Sequence, residues 1–157
     1  VRLAEGIQDK QAFLSIAGNA TWIRSHVFYT TAIDLLERHD NLTVDLGACE
    51  YLDSTFLGTI HEIVMARPDA IKLQRVSGKI RALFEELSMD GVLNHISLTA
   101  DPLPEKMEPL QSSDTASDVH GKRMLSAHET LASLSPENRE VFQQVLDSLH
   151  SDLDQAD

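Results

Sequence analysis

The chain has 157 residues, of which 42% are hydrophobic and 24% are charged, and its formal net charge is −12. This composition is typical of one soluble domain with a small appendage, and the lack of any run of 18 apolar residues argues against a membrane span. The negative charge, which is densest after residue 100, disfavours nucleic acid or an anionic membrane as a direct partner.

The cysteine content and the first residues bear on the compartment. Cys49 is the single cysteine, so neither an intrachain disulfide nor a thiolate zinc cluster can form. Residues 1–5 lack the apolar core of a secretory signal. We therefore expect a cytoplasmic protein.

The first 41 residues predict two strands and a helix. Short apolar segments at 3–7 and 12–17 are typical of strands joined by a turn. Thr21 can cap a helix that runs to about residue 38, because apolar residues recur there at helical spacing. Trp22 would be the first apolar residue of that helix.

A strand and a helix follow between residues 42 and 66. Alternate residues from Leu42 to Leu46 are apolar, which predicts a strand, and the apolar residues after position 55 share one helical face. Between them, Asp53, Ser54 and Thr55 carry short side-chain oxygens that can accept hydrogen bonds from first-turn N–H groups. We expect the Ser54 hydroxyl to be exposed at the start of this helix.

The strand and helix pattern repeats at residues 71–76 and 79–87. Residues 92–98 fit either an edge strand or a loop lying on the sheet. This order of elements predicts an α/β fold for residues 1–100, with a mixed sheet of four or five strands flanked by helices and right-handed crossovers.

The remainder of the chain differs in composition. Residues 101–121 are rich in Pro, Ser and Asp, which predicts a flexible linker. Residues 122–157 predict a helical hairpin or appendage of two amphipathic helices. We expect Phe142, Leu146 and Leu149 to dock on the domain or on a second copy in a homodimer, and a partner-seeking helix is the alternative.

Enzyme signatures are incomplete. His61-Glu62 begins like a zinc protease helix, but Met65 stands where the second histidine ligand is needed. Ser54 lacks the flanking glycines of a nucleophile elbow, and no Gly-rich loop precedes a phosphate-binding Lys. We expect a protein that receives a phosphate rather than an enzyme, with no metal and no cofactor.

Residues 3–98 resemble the STAS family, the bacterial anti-sigma factor antagonists, in the order of their elements and in one motif. The matching residues are Val44-Asp45-Leu46, Leu52-Asp53-Ser54-Thr55 and Leu57-Gly58. The resemblance implies that a partner, both serine kinase and anti-sigma factor, phosphorylates Ser54. It also implies that the unphosphorylated form binds this partner and frees the sigma factor, and that a phosphatase resets the switch.

The resemblance further implies a partner surface at the start of this helix and the loop before the first long helix. Many family members have Gly where this chain has Phe56, and an acidic loop where it has residues 18–22. The predicted partner-binding residues are Asn19, Thr21, Trp22, Asp53, Ser54, Thr55 and Phe56.

Several alternatives remain open from the residues alone. Ser54 could be a helix cap without regulation, in a STAS scaffold or ligand-binding module of a larger signalling or transport assembly. Thr55 is the second candidate hydroxyl, although bonding within the first helical turn suits it better. Trp22 fits an interface anchor and a core residue equally, whereas Phe56 fits the core better. A hydrolase is disfavoured because no base is visible beside Ser54.

Overall fold

The computed structural model describes residues 1–111 and 114–155. Five strands and six α-helices follow one another along this part of the chain. Two 3₁₀ turns, Trp22–Arg24 and Pro68–Ala70, precede α1 and β4. The elements are β1 (Arg2–Gln8), β2 (Gln11–Ala20), α1 (Ser25–Arg38), β3 (Asn41–Leu52), α2 (Ser54–Ala66), β4 (Ile71–Gln74), α3 (Gly78–Glu86), α4 (Asp90–Leu93), β5 (Glu108–Pro109), α5 (Ser117–Ala132) and α6 (Pro136–Gln155).

The five strands form one mixed sheet in the order β4-β3-β2-β1-β5. β1 and β2 pair in antiparallel fashion, and β2–β3 and β3–β4 pair in parallel fashion through the crossover helices α1 and α2. The two-residue β5 adds an antiparallel edge to β1. The predicted α/β fold with a mixed sheet flanked by helices is confirmed.

One local prediction needs correction, and the structure decides between two alternatives left open for residues 92–98. Thr21 makes no side-chain capping bond, and a 3₁₀ turn from Trp22 precedes α1, which begins at Ser25. The Ser25 hydroxyl donates to the Trp22 carbonyl over 2.7 Å and so closes this turn. The segment after residue 90 forms the short helix α4 and then a single bridge from Ile96 to Leu73, so it lies on the sheet edge without forming a strand.

Helix α2 is buried on nearly every side. A helix that covers one face of a sheet normally keeps a solvent-exposed side, yet both the apolar and the small polar residues of α2 are shielded. The sheet and α1 cover one side, and α5 packs against the other. The buried residues are Thr55, Phe56, Leu57, Gly58, Thr59, Ile60, His61, Ile63 and Val64.

Helices α5 and α6 form an antiparallel pair, here called the C-terminal hairpin. α5 begins at Ser117, within the range predicted as linker, and packs on α2, while α6 packs on α5. Phe142 and Leu146 are 7% and 9% exposed and join the main core. The amide of Asn138 ties the start of α6 to α3 by donating to the Leu87 carbonyl over 2.7 Å. The hairpin therefore docks on the domain of its own chain.

The division at residues 100 and 121 stays a prediction, although residues 108–109 and 117–121 have regular structure. None of the described helices combines the length and apolarity needed to cross a bilayer.

Candidate functional site

Asp53 is the N-cap of α2 and links it to the loop before α1. Its Oδ1 accepts a hydrogen bond from the Phe56 N–H at 2.8 Å, and its Oδ2 accepts one from the Trp22 N–H, also at 2.8 Å. The structure thus brings the loop and the helix start together, as the family resemblance implies. Because Asp53 performs the capping, Ser54 is not the cap of α2, whereas regulation at Ser54 stays a prediction.

Asp53 lies in an environment that opposes its negative charge. Burial raises the pKa of its carboxyl above the usual value, although the N–H groups of Phe56, Trp22 and Thr55 and the nearby His128 act in the opposite direction. A second anion placed beside this carboxylate meets repulsion and little solvent screening.

Ser54 is the first residue of α2, and its hydroxyl contacts the C-terminal hairpin. Its Oγ lies 2.8 Å from Nε2 of His128, a residue that is only 4% exposed. His128 Nδ1 lies 2.7 Å from the Met124 carbonyl oxygen, which can only accept. In the neutral imidazole Nδ1 therefore carries the proton, and Nε2 accepts the hydrogen bond that the Ser54 hydroxyl donates. The predicted exposed hydroxyl is instead half-buried, because α5 covers it.

The other predicted site residues divide between surface and core. Thr55 and Phe56 are 2% and 0% exposed, and the Phe56 ring packs 4.9 Å from that of Phe28. These two residues therefore cannot contact a partner, which corrects that part of the prediction. Asn19 and Trp22 are exposed.

Trp22 stands at the boundary between the domain and the C-terminal hairpin. Its ring meets that of His120 on α5 edge to face, with centroids 5.1 Å apart, and the residue keeps 40% exposure. Ile23 and Tyr51 are also exposed, and Tyr51 pairs with Asn19 across β3 and β2. Trp22, Ile23 and Tyr51 are thus exposed apolar or aromatic side chains on the loop before α1 and near the end of β3.

The contact between α2 and α5 follows one line of residues, Ser54, Gly58 and Glu62, here called the α2 stripe. These residues are four apart and so share one helical face. Ser54 meets His128, and a Cβ built on Gly58 would overlap the Ala127 carbonyl oxygen and lie 2.8 Å from its carbonyl carbon. Gly58 therefore permits close approach of the two helices.

Glu62 completes the α2 stripe with two partners on α5. Its Oε2 pairs with the Arg123 guanidinium, and its Oε1 accepts a 2.5 Å hydrogen bond from the Ser126 hydroxyl. Arg123 also stacks on the Tyr29 ring of α1, 4.2 Å from its centroid. Each of the three residues of the α2 stripe thus contacts the hairpin.

Sequence reasoning missed this contact entirely. His128 lies 74 positions from Ser54, and no local pattern pairs them. The one usable signal is Gly58 in the interior of an amphipathic helix, because glycine there marks a close approach when it is not a cap.

An apolar cavity of about 560 Å³ lies between the hairpin and the loop before α1. Trp22 and His120 form one wall, and Met124, Leu149 and Leu153 contribute most of the apolar lining. Leu149, which the sequence pattern predicts to dock, faces this space.

The parallel β2–β3–β4 core, the crossover helices and the Asp53-Ser54-Thr55 turn at the start of α2 together define a STAS-type domain. The chain belongs to the STAS domain family, since the family described as "Mlab, STAS domain" matches residues 3–98. No curated protein gives a significant match.

Two solved structures show a remote likeness. The anti-sigma factor antagonist SpoIIAA in its unphosphorylated form is 14% identical over 54% of this chain and 82% of that chain, with a TM-score of 0.42. The Bacillus cell fate determinant SpoIIAA in the phosphorylated form is 11% identical over 62% of this chain and 89% of that chain, with a TM-score of 0.49. At these scores the likeness carries no argument about function.

Proposed function

We propose that this STAS protein is an anti-sigma factor antagonist that regulates transcription by switching partners in the cytoplasm. Its unphosphorylated form sequesters a serine kinase that is also an anti-sigma factor, and phosphorylation of Ser54 ends that binding. A phosphatase restores the free hydroxyl. The observation that carries this proposal is that Asp53 supplies the cap of α2, which leaves the Ser54 hydroxyl without a structural role inside its own helix.

The chemistry is a phosphoryl transfer from ATP. The Ser54 oxygen forms a new bond to the γ-phosphorus, the bond to the ADP leaving group breaks, and the serine proton passes to a base of the kinase. The product carries about −1.5 to −2 charges at the start of α2, where the helix dipole contributes typically 0.3–1 kcal/mol in its favour. The modified domain can therefore remain folded.

The same charge opposes docking. A partner that covers the surface around Ser54, including exposed Trp22, Ile23 and Tyr51, must remove water from the phosphate beside the Asp53 carboxylate. A thousandfold loss of affinity corresponds to about 4 kcal/mol, which is within the cost of burying an unpaired charge. Repulsion and desolvation at the contact are sufficient for the switch without a change of fold.

The proposal is tested with purified candidate serine kinase/anti-sigma factors that are encoded in the same genome. After incubation with ATP, intact mass should show one added phosphoryl group on the wild type and none on Ser54→Ala. By titration calorimetry, Ser54→Ala should bind the kinase and Ser54→Asp should bind at least tenfold more weakly, the loss of about 1.4 kcal/mol expected of a buried charge.

Ser148→Asp is the matched control for added charge, because Ser148 is exposed on α6. It should bind like the wild type. Equal affinity of Ser54→Ala and Ser54→Asp would show that position 54 is not a switch.

The apolar cavity beside Trp22 favours a second function, a non-switched STAS module that binds an apolar ligand within a larger assembly. In that case Ser54 gains no phosphate, and a substitution that fills the cavity, Gly121→Leu, abolishes ligand binding. The phosphate assay separates the two functions directly.

A further inference from the structure

We propose that the C-terminal hairpin is a built-in competitor that occupies the α2 stripe and so shares its binding site with the protein partner. This inference rests on the proposed function, since it concerns the surface on which that partner docks. The hairpin lies outside residues 3–98, the part of the chain that matches the STAS family. It is therefore an addition laid over the family's domain.

The geometry of the α2 stripe supports a helix-docking surface rather than ordinary core. At its ends it uses polar contacts, Ser54 with His128 and Glu62 with Arg123 and Ser126. At its centre the α5 backbone approaches so closely that a Cβ on Gly58 would overlap the Ala127 carbonyl. Polar contacts at both ends of a small-residue centre fix the register of a docked helix.

The contacts of α5 also indicate which side chains a competing partner helix needs. Along α5, a cation at Arg123, a small residue at Ala127 and a hydrogen-bond acceptor at His128 match the three positions of the α2 stripe. A partner helix with a basic residue, a small residue one turn later and an adjoining polar side chain fits the same surface. The two occupants exclude each other, because each covers the same face of α2.

The fluorescence of Trp22 can report dissociation of the hairpin from the domain. Trp22 is the single tryptophan, and it contacts His120 on α5. When the hairpin dissociates from the domain, the Trp22 side chain loses its contact with His120 and is no longer next to the hairpin residues that line the cavity. Its emission should shift to longer wavelength, and acrylamide should quench it more strongly.

The first test uses the full chain with a substitution on the hairpin side only. Ala127→Glu places a bulky anion where the Ala127 side chain is 0% exposed, and it leaves every residue of the domain surface unchanged. Gln144→Glu adds the same charge at an exposed position of α6 and serves as the control. We expect Ala127→Glu to shift the Trp22 emission and to bind the kinase at least tenfold more tightly, as release of a tethered competitor predicts.

A second test avoids any substitution in the packed interface. A protease site inserted between Leu110 and Ser117 allows the chain to fold intact and to be cut afterwards. Cutting removes the tether, so dilution should release the hairpin and raise the kinase affinity by a similar factor. Adding back a synthetic peptide of residues 117–155 should restore the Trp22 emission and weaken kinase binding.

The outcomes separate this inference from the proposed function. If the hairpin leaves, kinase affinity stays unchanged and Ser54→Asp still weakens binding, the competition is refuted and the phosphorylation switch stands. If no kinase binds or phosphorylates either form, the proposed function fails and the competition fails with it. An unaltered Trp22 emission in both Ala127→Glu and the cut chain also overturns the inference.

Discussion

The hydrogen bond between Ser54 and His128 can be measured with a double-mutant cycle. The two single variants are Ser54→Ala and His128→Phe, and the third is their combination. Ser54→Ala leaves Nε2 of His128 without a donor in a site that is 4% exposed, which should cost about 1–2 kcal/mol of unfolding free energy. His128→Phe keeps the ring that packs 5.3 Å from Phe142 and removes the acceptor.

In the double variant neither partner remains, so the second substitution should cost less than it does alone. A net hydrogen bond of about 1 kcal/mol predicts a coupling free energy of about that size. Urea unfolding followed by circular dichroism measures all four free energies, provided that the slopes agree.

His95 provides the matched control for this cycle. Its Nδ1 also bonds the carbonyl four residues earlier, Gly91, at 2.6 Å, but its other nitrogen faces Pro68 rather than Ser54. A cycle of Ser54→Ala with His95→Phe should therefore show coupling within about 0.3–0.5 kcal/mol of zero, as for independent sites. If the Ser54–His128 cycle gives the same result, that hydrogen bond does not hold the hairpin.

Three further substitutions test buried contacts of the sheet and of the C-terminal hairpin. Asp45→Asn should destabilise the chain by about 3 kcal/mol, because an amide can accept only some of the four hydrogen bonds that the buried carboxylate accepts; thermal unfolding measures this. Burial opposes the charge of Asp45, but its side-chain and backbone donors outweigh burial and lower its pKa. The wild type should therefore lose this stability as the pH falls from about 4 through the depressed pKa, and the variant should not. Phe142→Ala should cost about 3 kcal/mol in urea unfolding, whereas Val141→Ala at an exposed neighbour should cost under about 0.5 kcal/mol. Arg123→Met should lower the free energy of unfolding by about 3 kcal/mol, because it leaves the largely buried charge of Glu62 without its cation partner. The double variant with Glu62→Gln should recover much of that loss.

The sheet and its crossover helices could be predicted because each strand and helix has a regular pattern of its own. Alternation from Leu42 to Leu46 and helical spacing after Phe56 place β3 and α2 correctly. The start of α1 could not be predicted, because the choice between Thr21 and Arg24 as cap depends on the bond that Asp53 supplies from 31 positions away. Non-local hydrogen bonds of this kind leave no periodic signal.

The site could be predicted in part. The Asp53-Ser54-Thr55 motif identifies the start of α2, but the hairpin decides what is accessible there. The sequence shows the apolar face of α2 and the amphipathic tail as two separate patterns. Neither pattern reveals that they pack together, because Leu131 or Phe142 could be buried equally well against many other apolar surfaces. The specific pairing depends on Gly58 and Ala127, two small residues that carry no periodic information.

In the proposed competition, the extent of hairpin closure sets the affinity at which the partner can act. A hairpin closed in 99 of every 100 molecules weakens a partner about a hundredfold, which is about 2.7 kcal/mol. Burial of Phe142 and Leu146 suggests stronger closure, since each large apolar side chain contributes about 1.5–3 kcal/mol before the entropy of ordering is subtracted. At 4 kcal/mol of closure, a partner with nanomolar intrinsic affinity would bind at about micromolar concentration. The STAS domain would then respond only when the proposed kinase is abundant, and any change that loosens α5 from Gly58 would lower that threshold.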